Sequence, residues 1–188
     1  MKRAFCVIAM VFSLTSIYGA NADAADHPPE LVELLNAIDI VPTHESLVLT
    51  GAGEDGAALG PIALDTDLRR YTRVRAVFAT ELFPESFDAE FFTQLAQQEG
   101  EDQEVRIAAI AVISRDERPA SAPVCDALLT QLLQDPEAEI VRAVVRATAR
   151  LSDDRAEPIV SRGLELQAVL PSEIVEMLNE RASEIQTR

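Results

Sequence analysis

Gly51-Ala52-Gly53-Glu54-Asp55-Gly56 spells the G-x-G-x-x-G pattern, which can set backbone amides around a pyrophosphate where a strand turns into a helix. Glu45–Thr50 could supply a short strand before it, and Glu81 stands near the spacing of a ribose-binding acid. Three features oppose that chemistry. Glu54 and Asp55 would lie beside the phosphates and repel them, Gly60-Pro61 interrupts the helix that should follow, and Glu81 falls in a segment with a helical apolar period. The stretch reads better as a loop at Gly51–Gly56 followed by a short helix around Ala57–Leu64.

The other reactive side chains are sparse. His44-Glu45 lacks the second histidine of a helical zinc pair, because Val48 holds that place, and the remaining histidine is His27. Cys125 shares an apolar stripe with Leu128, Leu129 and Leu132, the setting of a buried small hydrophobe rather than a reactive thiol. Asp153-Asp154 could touch calcium, but adjacent carboxylates at that position read as a helix start. Glu137 and Glu139 read as solvated turn acids. G-x-S-x-G, Ser-x-x-Lys and Cys-x-x-Cys are absent. The expectation is a chain with no catalytic residue, no cofactor, no metal and no disulfide.

The start of the chain carries an address. Lys2 and Arg3 precede an apolar run from Ala4 to about Ile17, and Ala20-Asn21-Ala22 and Ala22-Asp23-Ala24 both fit a small-residue cleavage site. The run is shorter than the ~20 residues a membrane-spanning helix needs. Residues 1–24 are therefore expected to be an export signal, leading to a periplasmic or extracellular protein with no membrane span after cleavage. With Cys6 in that segment, Cys125 is left alone. The formal net charge of −16 disfavours phosphate backbones and anionic membranes, so no nucleic-acid partner is expected. Hydrophobic residues make up 48% of the chain but aromatic ones only 5%, so the core must be built from Ala, Val, Leu and Ile.

Those small aliphatic residues recur with a period. Val74-Arg75, Val105-Arg106 and Val141-Arg142 open similar segments, about 31 and 36 residues apart, a spacing typical of stacked repeats. Offsets 0, 3, 4 and 8 from each valine are apolar or small: Val74, Val77, Phe78, Leu82; Val105, Ala108, Ala109, Ile113; Val141, Val144, Val145, Ala149. They form one face of a helix. Offset 7 is irregular, occupied by Glu81, Val112 and Thr148. Each segment is followed by a break and a second apolar period: Phe87, Phe91, Phe92, Leu95 behind Ser86; the Cys125 stripe behind Ser121; and Ile159, Leu166, Val169 behind Ser152. Leu31, Leu34, Leu35 and Ile38 predict a capping helix at one end, and the helix from Ser172 predicts another.

Asp102-Gln103-Glu104-Val105-Arg106-Ile107-Ala108-Ala109-Ile110-Ala111 resembles the HEAT repeat and its bacterial HEAT-like relatives. The resemblance covers roughly residues 65–170. It implies an all-α fold, a right-handed α-solenoid of stacked antiparallel helical hairpins, and binding of another protein without catalysis. In that family an aspartate and an arginine bond across successive repeats; Arg75, Arg106 and Arg142 match the arginine, Asp102 matches the aspartate, and Asp67 and Asp135 match it less well because the turns before Val74 and Val141 are longer. The expected organisation is one domain over 25–188: an irregular first repeat at 27–66, repeats at about 67–100, 101–135 and 136–170, and a capping helix at 171–186. The alternatives are an accessory subunit of an enzyme resembling HEAT-like lyases and a nucleotide-binding α/β domain built on Gly51–Gly56.

Overall fold

Helix is the only regular structure among the described residues of the computed structural model, which are 27–116 and 118–187. Ten α-helices follow in order: α1 Pro29–Asn36, α2 His44–Leu49, α3 Leu59–Leu64, α4 Arg70–Ala79, α5 Ala89–Gln97, α6 Gln103–Ile113, α7 Ala122–Leu132, α8 Ala138–Thr148, α9 Asp153–Glu165 and α10 Ser172–Gln186. The fold is all-α. The export signal expected at 1–24, with Cys6, lies outside the described residues. None of the described helices is long and apolar enough to cross a membrane.

Local chemistry sets the boundaries. Glu45–Leu49 forms the body of α2 and Thr50 caps its end, with no strand, because Thr43 and Ser46 exchange hydrogen bonds in a capping box that starts a helix. Pro61 does not interrupt α3; it occupies the first turn, where its missing N–H costs nothing. Asp88, not Ser86, caps α5, accepting from the amides of Glu90 and Phe91 at 2.9 and 3.2 Å. Ser86 lies instead in a short 3-10 turn, Pro84–Ser86. Asp102 caps α6 by accepting from the Glu104 amide at 2.9 Å.

The helices pack in two successions. In one, α1 lies on α4, α4 on α6, α6 on α8 and α8 on α10; in the other, α5 lies on α7 and α7 on α9. Helices adjacent in sequence join most extensively as α3 with α4, α5 with α6, and α9 with α10. The sequence had grouped α4 with α5 and α6 with α7. The short turn Gln98–Asp102 folds α5 directly onto α6, whereas α7 begins only at Ala122 and packs chiefly on α5 and α9.

One aliphatic core runs the length of this packing, from Leu31 and Leu35 through Ala76, Ala109 and Val145 to Ile174 and Leu178. Each fully buried Leu or Ile contributes about 1.5–3 kcal/mol. In α6 the expected stripe Val105, Ala108, Ala109 and Ile113 is buried throughout. In α8, Val141, Val144 and Val145 are buried but Ala149 is exposed. Of the stripe expected for α4 only Val77 is buried: Val74 and Phe78 are partly covered, and Leu82, in the 3-10 turn after the helix, faces solvent.

The cause is a two-residue slip. Thr72 and Arg73 of α4, not Val74 and Arg75, occupy the positions of Val105 and Arg106. From Thr72, Val105 and Val141, offset 4 gives Ala76, Ala109 and Val145, and offset 7 gives Ala79, Val112 and Thr148, all buried. The irregular seventh position vanishes, and the repeat spacing becomes about 33 and 36 residues. Thr72 sits at an apolar site and disguised the alignment, while the Arg73-Val74-Arg75 triplet offered a false Val-Arg pair.

The ends differ from expectation as well. Ile38 lies beyond α1 and is exposed, as are Ile40, Val41 and Leu49 nearby. Val169 is exposed after the end of α9. By contrast α10 buries Ile174 and Leu178 and turns Glu173, Glu176 and Glu180 to solvent.

Candidate functional site

Arginines join successive helices of the α4–α6–α8 row. Arg106 is almost fully buried; its Nε donates to the Ala96 carbonyl at 2.8 Å, its Nη1 to Glu137 at 3.0 Å, and its Nη2 to Asp135. Arg73 repeats the pattern one unit earlier, with Nε on the Ala63 carbonyl at 2.9 Å and Nη2 on Glu101 at 2.6 Å. Both guanidinium groups tie a helix to the end of the helix before it and to the turn of the next unit. Arg142 reaches Glu173 at 3.0 Å and Glu139, but this rung is more exposed, and its Nε has no hydrogen-bond partner.

Arg75, matched by sequence to Arg106, does something else. It donates to the carbonyls of Ala37 and Ile40 and to the Tyr71 hydroxyl, pinning the segment after α1 onto α4. Asp102 caps α6 and lies 3.9 Å from Arg70, and takes no bond from the Arg106 series. The acids that do are Glu101, Asp135, Glu137 and, for Arg142, Glu173. Glu101 stands in the acidic turn Glu99-Gly100-Glu101-Asp102, and Asp135 and Glu137 in Asp135-Pro136-Glu137; Glu137, expected to be solvated, is thus held by Arg106. The sequence points to Asp102 rather than to Glu101 beside it, because Asp102 fits the HEAT-like resemblance.

A second set of ties lies outside that series. Arg155 of α9 holds Asp126 of α7 at 2.8 Å and donates to the Asp116 carbonyl at 3.1 Å. Arg115 donates to both oxygens of Glu81 at 2.7 Å. Arg118 lies 4.2 Å over the Phe87 ring and donates to Asp116 and to the Pro84 carbonyl. Burial raises the Asp116 pKa, but the Ser121 hydroxyl and Arg118 outweigh it, leaving the carboxyl below its usual value. An open cleft of about 530 Å³ lies here, lined by Glu81, Phe87, Val112, Arg115, Asp116 and Arg118. Its charges already satisfy one another.

A smaller groove of about 190 Å³ between α6 and α8 is different. Ile107, Ile110, Ala111 and Ala143 line it, with Glu139 at one end and Arg146 and Arg150 at the other. Glu139 is paired with Arg142. Among the described residues, Arg146 and Arg150 have neither an ion pair nor a side-chain hydrogen bond; Arg69, far along the chain, is the other such arginine.

The remaining motifs have structural placements. Gly51, Gly53 and Gly56 all adopt positive φ. A Cβ on Gly56 would stand 2.7 Å from the Phe83 ring. The loop's amides are occupied internally, Ala52 by Leu47, Gly56 by Gly53, Ala57 by Asp55 and Ala58 by Ala52, so none of these four is aimed at a phosphate. His44 packs against Phe83 with ring centroids 4.7 Å apart. His27 Nε2 lies 2.8 Å from Asp65. Cys125 is buried, and desolvation, with the Asp116 carboxylate adding to it, raises its thiol to about 11. Asp153 opens α9 and pairs with Arg181. No group of three or more His, Cys, Asp or Glu among the described residues is arranged to hold a metal. Comparison with family models, with curated proteins and with solved structures yields no match.

Proposed function

We propose that the chain is an exported, non-catalytic HEAT-like repeat protein, a right-handed α-solenoid of helical hairpins that serves as a protein-binding scaffold. The observation that carries this reading is the recurrence of Arg73, Arg106 and Arg142, each bonded to an acid in the next unit, on helices stacked α4 to α6 to α8. Ties of this kind hold a linear array together through nearest neighbours and leave one helix face to solvent. That face is where a partner would lie. The A-x-A pattern ending at Ala22 or Ala24 supports export.

The protein immobilised as bait should retain a defined partner from an envelope or secreted fraction at several ionic strengths. Retention of nothing specific under all of them overturns the scaffold reading. Mass spectrometry of the exported product should find it beginning at Asp23 or Ala25; an intact N-terminus on the mature protein removes the export part.

A further inference from the structure

We infer that the α6–α8 groove docks a partner segment in which an apolar side chain is flanked by carboxylates. This rests on the scaffold reading and narrows it to one surface and one chemistry. The floor of Ile107, Ile110, Ala111 and Ala143 is small and aliphatic, sized for a single aliphatic side chain. Arg146 in the last turn of α8 and Arg150, two residues beyond the end of that helix, both line the groove.

Their lack of partners is the telling point. Acids outnumber bases two to one in the chain, 32 against 16. Arg70, Arg73, Arg106, Arg115, Arg118, Arg142, Arg155, Arg162 and Arg181 all pair with acids of this chain. Two adjacent guanidinium groups at an apolar groove thus remain in a molecule with carboxylates to spare. A planar guanidinium binds a carboxylate through two parallel N–H···O bonds, so the pair presents a matched receptor for two acids. The overall negative charge repels such a segment from a distance, but at 0.15 M salt this repulsion fades beyond about 8 Å. Inside that range the two arginines act on the segment first.

The test uses fluorescence anisotropy of two fluorescein-labelled peptides, one alternating Glu and Leu and one alternating Lys and Leu, added to the purified protein. The Glu-Leu peptide should bind and the Lys-Leu peptide should not. The double variant Arg146→Glu, Arg150→Glu should weaken Glu-Leu binding by about tenfold or more, while Arg69→Glu leaves it unchanged. Ala143→Trp, which fills the floor without touching either charge, should also abolish binding. Both arginines are exposed, so the helical circular dichroism of the double variant should match the wild type. Equal binding by the double variant, equal binding of the Lys-Leu peptide, or tighter binding of a single-stranded DNA oligonucleotide overturns the inference. A partner retained equally by wild type and double variant would sink this surface and leave the scaffold standing. A bait that retains nothing sinks the scaffold itself.

Discussion

Replacing Arg73 with alanine strips the guanidinium from Glu101, whose side chain is 2% exposed, and from the Ala63 carbonyl. Glu101 keeps one short bond, from the Asp102 amide at 2.6 Å, and is otherwise left as a buried charge without a counterion. Breaking such a buried pair costs about 3–5 kcal/mol, most of it the penalty of the stranded ion. Arg75 lies two residues away and donates to carbonyls of a loop that water can reach, so Arg75→Ala should cost about 1 kcal/mol. Urea denaturation followed by circular dichroism at constant m reads both differences. For a chain of this size the Arg73 loss corresponds to roughly 6–20 °C in melting temperature. Adding Glu101→Gln to Arg73→Ala removes the stranded charge and should return about 1–2 kcal/mol. If Arg75→Ala proves as costly as Arg73→Ala, the two-residue realignment of α4 is wrong. If Glu101→Gln brings no recovery, the loss comes from packing rather than from an uncompensated charge.

Other perturbations probe separate features. Gly56→Ala demands both a φ of +72° and a Cβ 2.7 Å from Phe83, so it should cost about 2–3 kcal/mol, whereas Gly100→Ala, at φ +84° with open space around it, should cost about 1–2 kcal/mol in the same denaturation assay. With its thiol raised to about 11, Cys125 is only about one part in a thousand thiolate at pH 8, so maleimide or disulfide reagents should label it only as fast as the protein unfolds. Asp65 is held below its usual value by the Asp67 amide and, against a partial loss of hydration, by His27. A depressed carboxyl stabilises the fold above its unfolded pKa, near 4, and that stabilisation is lost as pH falls through the lower folded value. Asp65→Asn should therefore flatten the acid limb of the stability profile, and an unchanged limb would remove Asp65 from that account.

The sequence made most of the helical layout readable because aliphatic spacing survives substitution. The stripes of α6 and α7 were fully legible: Val105, Ala108, Ala109 and Ile113, then Cys125, Leu128, Leu129 and Leu132, are all buried. In α4 the pattern misled, since a threonine fills an apolar site and valine stands between two arginines. A hydroxyl that bonds Asn36 lets Thr72 be buried at no polar penalty, which hydropathy cannot register. The acidic partners were less legible. A turn such as Glu99-Gly100-Glu101-Asp102 contains three carboxylates, and only the direction of the chain decides that Asp102 caps a helix while Glu101 turns inward. The groove between α6 and α8 had a faint sequence signal, two arginines four apart at and just past the end of a helix rich in valine and alanine. That they lack partners depends on where every other acid went.

The guanidinium rungs weaken along the chain. At Arg73 the acid is 2% exposed and at Arg106 the nearer acid 8%, but at Arg142 the acid of the next unit, Glu173, is 67% exposed, and the Nε groups of Arg142 and Arg181 have no partner. In a molecule held by neighbour-to-neighbour ties, opening begins where a tie is cheapest to break. Amide hydrogens of α9 and α10 should exchange with deuterium ahead of those in α4 and α6. The molecule would then breathe from its C-terminal side, and a protease meeting it would trim that side first, leaving the α4–α6 half folded.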